Sequence, residues 1–312
     1  MRTIALLLVA GGLLALRPHG APLPAPRRSF RPAAGTGQLA AFSPNGSLVA
    51  VAGGAAPVAV FQTGTGLLLR TYTGHAQPVT DLAFAPHPDT VLSADAAGLA
   101  RLWHSETLAP LGRWQAPAPL VAVAFAPGGG RAVLATAHGA WLWTLRGTQA
   151  PVLLKLMLPA KSSITAVAFA PDGQRLALGF NTGGALVHQL GTATQELKSL
   201  GTTPVRSLCL HADTLLAAVG TPALKIWPLR PDASVTALRL PQNLTAVAIE
   251  PSGRTLALGF DTGETMLWNR AESRAEYVCQ AKGSARRLQF QPGGDLLLAT
   301  YEGDATKTWL VL

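Results

Sequence analysis

The chain reads as a succession of short apolar runs, each punctuated by glycine, proline, asparagine or aspartate. Residues 164–169 form one apolar run, Pro171-Asp172-Gly173 a tight turn, and residues 175–180 a second run. Asn181-Thr182-Gly183-Gly184 then makes another turn, and residues 185–190 a third run. Proline presets one turn dihedral and glycine accepts positive φ, so both reverse an extended chain at little cost. Runs of this length between such turns predict antiparallel strands.

The pattern repeats. FSPNG at 42–46, FAPHP at 84–88, FAPGG at 125–129, FAPDG at 169–173, LHAD at 210–213, IEPSG at 249–253 and FQPGG at 290–294 align as one turn element. Their third residues, Pro44, Pro86, Pro127, Pro171, Ala212, Pro251 and Pro292, lie 42, 41, 44, 41, 39 and 41 positions apart. A second series has the same count: Phe61, Trp103, Trp143, His188, Trp227, Trp268 and Trp309 each follow their turn by about seventeen positions. Two registers with one period give seven units, at about 37–78, 79–117, 118–161, 162–202, 203–242, 243–283 and 284–312. Four short strands per unit cannot bury their faces alone, whereas seven such sheets packed radially can. The expected fold is all-β, a seven-bladed β-propeller of four-stranded antiparallel blades over residues 22–312.

The period, the F-[SA]-P-[DNG]-G turns, Gly74-His75, and the third-strand endings Arg101-Leu102-Trp103, Lys225-Ile226-Trp227 and Met266-Leu267-Trp268 resemble WD40 repeats, without their Trp-Asp dipeptides. In that family a His, a Ser or Thr, an Asp and the Trp can form a hydrogen-bonded tetrad within one blade. The second unit supplies His75, Ser93 and Trp103, with Ala97 where the resemblance places the Asp and Asp95 out of position. The resemblance implies a protein-interaction scaffold. It also implies ring closure by an N-terminal strand, because the seventh unit stops after its third strand and an unpaired edge invites aggregation. A gapless alignment puts Arg28-Ser29-Phe30 where unit one has Arg70-Thr71-Tyr72, so residues 25–31 are the expected closing strand.

Before that strand, Arg2 precedes an apolar run at 4–16, then Arg17-Pro18-His19-Gly20 and a proline-rich exit. These are the parts of a signal peptide, so residues 1–21 are expected to be a leader and the mature protein exported to a periplasmic, cell-surface or extracellular location. If these residues are not a signal peptide the expected location is cytoplasmic or organellar, an organellar transit peptide being the second option for the segment. No apolar stretch of transmembrane length is present. The net charge of +9 arises from 25 Lys+Arg against 16 Asp+Glu, yet five arginines lie within residues 1–31. The remaining chain is only mildly basic and has no basic stripe with interleaved aromatics, which argues against a nucleic-acid partner.

Nothing points to catalysis. The seven histidines show no metal-ligand spacing, and Cys209 and Cys279 suit neither a zinc site nor a disulfide framework. Asp261-Thr262-Gly263 looks like a protease triplet, but Asn181-Thr182-Gly183 fills the same turn in unit four, so it belongs to the repeat. No enzyme, metal or cofactor is expected. The expected function is that of a monomeric scaffold binding protein or peptide through the face shared by the fourth-to-first and second-to-third connections. Its candidate contacts are His75, Gln77, Asp95, His138, Asn181, Asp261, Glu264, Tyr301, Glu302 and Asp304. The alternative is a small molecule or glycan at the mouth of the central channel.

Overall fold

The computed structural model describes residues 7–9, 12–14, 26–31, 38–54, 57–86, 89–145, 149–192, 194–212, 214–230, 232–304 and 306–310. Among them every regular element is a β-strand, and none forms a helix long and apolar enough to cross a membrane. Seven four-stranded antiparallel sheets form the ring. Blade one comprises Leu39–Phe42, Leu48–Ala52, Val58–Gln62 and Leu68–Tyr72; blade two comprises Val79–Phe84, Thr90–Asp95, Leu99–His104 and Pro110–Gln115. Blades three, four and five occupy residues 120–153, 164–199 and 207–239. Blade six comprises Leu244–Ile249, Thr255–Phe260, Glu264–Asn269 and Arg274–Gln280.

Blade seven holds Ala285–Phe290, Leu296–Tyr301, Thr306–Leu310 and, as its outer strand, Arg28–Phe30. Arg28 pairs with Thr308, Ser29 with Lys307 and Phe30 with Thr306. Phe30 thus takes the register position that Tyr72 takes opposite Val58 in blade one. The closing strand bonds onward as well: Arg28 Nε donates to Gly64 O at 3.0 Å, and the Phe30 and Phe61 rings meet edge-on with centroids 5.5 Å apart. Phe30 is fully buried, and burying a phenyl ring contributes about 1.5–3 kcal/mol. Upstream, Leu7–Val9 pairs with Gly12–Leu14 in a small hairpin. The rest of the expected leader lies outside the described residues.

Each interface between neighbouring blades holds one hydrophobic cluster, and seven clusters close the circle. The series residues Phe61, Trp103, Trp143, Trp227 and Trp268 of strand three are large members of these clusters, and His188 in the same series is buried as well. Trp309 lies in the corresponding strand, with its side chain outside the described residues.

The first strands line the central channel, where their free edge exposes backbone N–H groups that need acceptors. Side chains of the preceding blade supply several. Asp81 accepts from Val123 N at 2.8 Å, Ser207 Oγ from Val247 N at 3.3 Å, and Gln289 Oε1 from Phe42 N at 3.1 Å. A β-bulge near the start of the first strand recurs in blades two, three, four, six and seven. At the opposite end, Arg131 donates to Gly173 O at 2.9 Å and Arg175 to Ala212 O at 3.0 Å, pinning consecutive blades.

Candidate functional site

The fourth-to-first and second-to-third connections come together on one face of the ring and hydrogen-bond to each other around it. Ala116 N donates to Gly98 O at 2.9 Å, Leu200 N to Gly183 O at 2.8 Å, Ala281 N to Gly263 O at 3.0 Å and Glu302 N to Ser284 O at 2.9 Å. Gly263 shows why the turn needs glycine: φ is +85° and an added Cβ would sit 2.4 Å from Ala281 O. The loop face is therefore a backbone-braced platform.

In blade two the face rests on a four-residue hydrogen-bond chain. Trp103 Nε1 donates to Ser93 Oγ at 3.0 Å, Ser93 lies 2.7 Å from His75 Nε2, and His75 Nδ1 lies 2.8 Å from Asp95 Oδ2. A neutral imidazole protonated at Nδ1 satisfies every link: the Ser93 hydroxyl donates to Nε2, and Nδ1–H donates to the carboxylate. Burial pushes the His75 pKa below its ordinary value, Asp95 opposes that fall through its hydrogen bond and charge, and the Arg101 charge adds to it. Asp95 Oδ1 also accepts from Ala97 N at 3.0 Å and Leu99 N at 2.9 Å, which fixes the following turn.

This corrects the expectation that Asp95 is out of position. Asp95 ends strand two, two residues after Ser93, so the alternation of strand side chains puts both on the face that meets His75. The turn position held by Ala97 is not needed.

The candidate contacts separate by burial. His75 and Asp95 have side chains only 4% and 2% exposed, and Tyr301 is fully buried with its hydroxyl 2.8 Å from Thr265 Oγ1 of blade six. These three point inward and brace the face from below, contrary to their expected place among the contacts. Gln77, His138, Asn181, Asp261 and Glu302 are exposed on the face, and Glu264 and Asp304 are half-buried there. Asn181 Oδ1 accepts from Ser163 N at 2.7 Å and Asp261 Oδ2 from Asn243 Nδ2 at 2.7 Å, while Gln242 donates to Glu264. Glu302 pairs with Arg286 at 2.7 Å and Asp304 with Lys307 at 2.7 Å. Four carboxylates thus gather on blades six and seven, whereas Gln77, His138 and Asn181 are spread over the approaches to and turns of blades two to four.

The position of Asp95 was legible in other blades as a column of aromatics. Phe180, Phe260 and Tyr301 each end strand two and pair with the first residue of strand one, as Asp95 pairs with Val79. All three aromatics are fully buried. In the series column His188 is packed, with burial lowering its pKa and a hydrogen bond to the Thr194 backbone opposing that, but its Nδ1 has no acceptor or donor among the described residues.

The channel has a volume of 710 Å³. Asp81 accepts from Leu82 N and pairs with Arg287, an ion pair that reaches past blade one from blade seven to blade two. Thr165 and Thr245 spend their hydroxyls on Val205 O at 2.6 Å and Ala285 O at 2.8 Å. Cys209 also lines the channel, and burial pushes its thiol and that of Cys279 up to about 12, so neither is a nucleophile near neutral pH. Among the described residues no group of three or more His, Cys, Asp or Glu side chains could hold a metal ion.

The family model for the WD domain, G-beta repeat, matches residues 66–104, from just before the outer strand of blade one to the third strand of blade two. That span contains the complete tetrad. No curated protein matches the sequence significantly. Among solved structures, the chain is similar to the β-propeller domain of Cps50 (Swd1) from Myceliophteria thermophila, with a TM-score of 0.77 and 17% identity, covering 91% of this chain and 99% of that one. At that identity the likeness concerns the fold. The chain is a seven-bladed β-propeller that carries a WD40 repeat across its first and second blades.

Proposed function

We propose that the protein is a non-enzymatic scaffold that binds a protein or peptide through its loop face. The observation that carries this is the braced platform itself: exposed Gln77, His138, Asn181, Asp261 and Glu302 stand on connections already hydrogen-bonded to each other. A partner meeting such a surface does not have to order it, which favours affinity. WD40 propellers generally serve protein interactions, and the carboxylates of blades six and seven suit a partner segment carrying lysine or arginine.

The test is crosslinked capture from the native source with wild type and a Gln77→Ala, His138→Ala, Glu302→Ala variant of unchanged Tm. Loss in the variant of a specific protein held by wild type supports the reading; equal capture by both, or none by either, sinks it. Binding of a small molecule or glycan in the channel is the weaker reading, because the polar groups of Asp81, Arg287, Thr165 and Thr245 are engaged with protein atoms. Isothermal titration with glycans and metabolites distinguishes it. The exported location rests on residues 1–21 acting as a cleaved leader, and N-terminal sequencing of the native protein tests that directly.

A further inference from the structure

Three arginines without an ion pair among the described residues face the interface between blades one and two. Tyr72, on the outer strand of blade one, stacks on Trp103 in the third strand of blade two, with centroids 4.3 Å apart and planes 6° from parallel. Those two strand faces therefore look at each other. Arg70 lies two residues from Tyr72 on the same face of its strand, and Arg101 two residues from Trp103 on its own. Arg113, on the outer strand of blade two, is the direct cross-strand partner of Arg101.

By that alternation all three arginines are on the strand faces that meet at this interface, and among the described residues none of them has an ion pair. Asp95, at the end of the strand that pairs with the Arg101 strand, is taken up by His75, Ala97 N and Leu99 N. Like charges directly opposite each other destabilise an antiparallel pair. Arg101 Nε is also a buried donor with no acceptor among the described residues, and such a group marks a missing partner. Arginines elsewhere in the ring do find acceptors: Arg131 on Gly173 O, Arg175 on Ala212 O and Arg270 on Gly253 O.

We propose that the cleft between blades one and two binds a phosphate group, as free phosphate or as a phosphomonoester, held by Arg70, Arg101 and Arg113. Guanidinium forks match phosphate oxygens and stay charged at any working pH. A phosphate near its dianionic form balances most of the three charges, whereas a carboxylate balances one. It would also supply the acceptor that Arg101 Nε lacks.

The experiment compares wild type with Arg70→Gln and Arg113→Gln, both at exposed positions, in inorganic phosphate and in sodium chloride of equal ionic strength. With phosphate at ten times its dissociation constant, the wild-type Tm should rise by about 2 °C over the chloride control. Arg113→Gln should start with a higher Tm than wild type in chloride, because the opposed charge is gone, and should lose the response to phosphate. Arg70→Gln should lose most of it. Titration with O-phosphoserine distinguishes the sources: a response shows that the site accepts an esterified phosphate, and a response to inorganic phosphate alone restricts it to the free anion. No rise beyond the chloride control, an unchanged response in both variants, or an Arg113→Gln protein less stable than wild type in chloride would overturn the assignment.

Discussion

Blades two and six build the same corner from opposite chemistry. In blade two, His75, Ser93, Asp95 and Trp103 form a closed hydrogen-bond chain. In blade six the corresponding positions hold Leu240, Leu258, Phe260 and Trp268, all members of one hydrophobic cluster. Leu240 precedes its first strand by four residues as His75 does, and Phe260 pairs with Leu244 as Asp95 pairs with Val79. The polar version gives each group a specified partner. The apolar version needs only complementary volume. On the opposite face of the same strand Gly259 lets blade seven approach, since an added Cβ there would lie 2.6 Å from Ala285 Cβ. A propeller therefore does not need the tetrad in every blade, provided that each corner is consistent within itself.

Mixing the two solutions should be the most damaging change. Phe260→Asp puts a carboxylate among Leu240, Leu258 and Trp268 with no imidazole to receive it, and should cost more than about 4 kcal/mol or prevent folding, as read by urea denaturation. Phe260→Ala, which leaves a cavity, should cost about 3–5 kcal/mol in the same assay. In blade two, Asp95→Ala strands the His75, Ala97 and Leu99 donors and should cost about 1–3 kcal/mol. A double-mutant cycle with Ser93→Ala should show coupling of about 0.5–3 kcal/mol, and strict additivity would mean that the chain does not act as a unit.

Acid should also tell the corners apart. The folded state lowers the His75 pKa, so the unfolded chain binds the proton more tightly and stability falls as pH drops below the ordinary histidine value of about 6.5. The slope is limited to about 1.4 kcal/mol per pH unit for each histidine. His188 contributes with the same sign. Replacing the blade-two set with its blade-six counterparts, His75→Leu, Ser93→Leu and Asp95→Phe, should remove only the His75 share, which calorimetry between pH 7.5 and pH 5 would detect. The smallest contrast lies in the tryptophans. Trp103→Phe and Trp227→Phe lose the same ring volume, but only Trp103 loses a bonded N–H, since Trp227 Nε1 is buried without a partner among the described residues. Trp103→Phe should therefore cost about 1 kcal/mol more than Trp227→Phe in the same denaturation assay.

Periodicity and turn chemistry made the ring legible in the sequence, because both are local and recur seven times. The closing strand was legible for the same reason, since Arg28-Ser29-Phe30 falls in the repeat register of Arg70-Thr71-Tyr72. The direction of individual side chains was harder to read. Tyr301, which the loop-face assignment treats as a contact, ends a strand and turns inward to Thr265 of the preceding blade, and Asp95 turns inward to His75. A one-residue difference between strand end and turn decides such cases. The Asp81–Arg287 pair could not be read from spacing at all, because it depends on how the first strands converge on the channel.

The pairing of Arg28–Phe30 with Thr306–Leu310 also sets an order of events during synthesis. The strand that completes the ring is synthesised before any other strand of the seven blades, yet its partner is synthesised after six of those blades. Individual blades can form as they emerge, but the circle has to wait for a contact between strands separated by six complete blades, and contacts of such long sequence separation are slow to form. Until then the seventh sheet exposes an unpaired edge while Phe30 remains uncovered. A ring built in this way stays open until its seventh sheet has been synthesised, so closure reports on the presence of every blade.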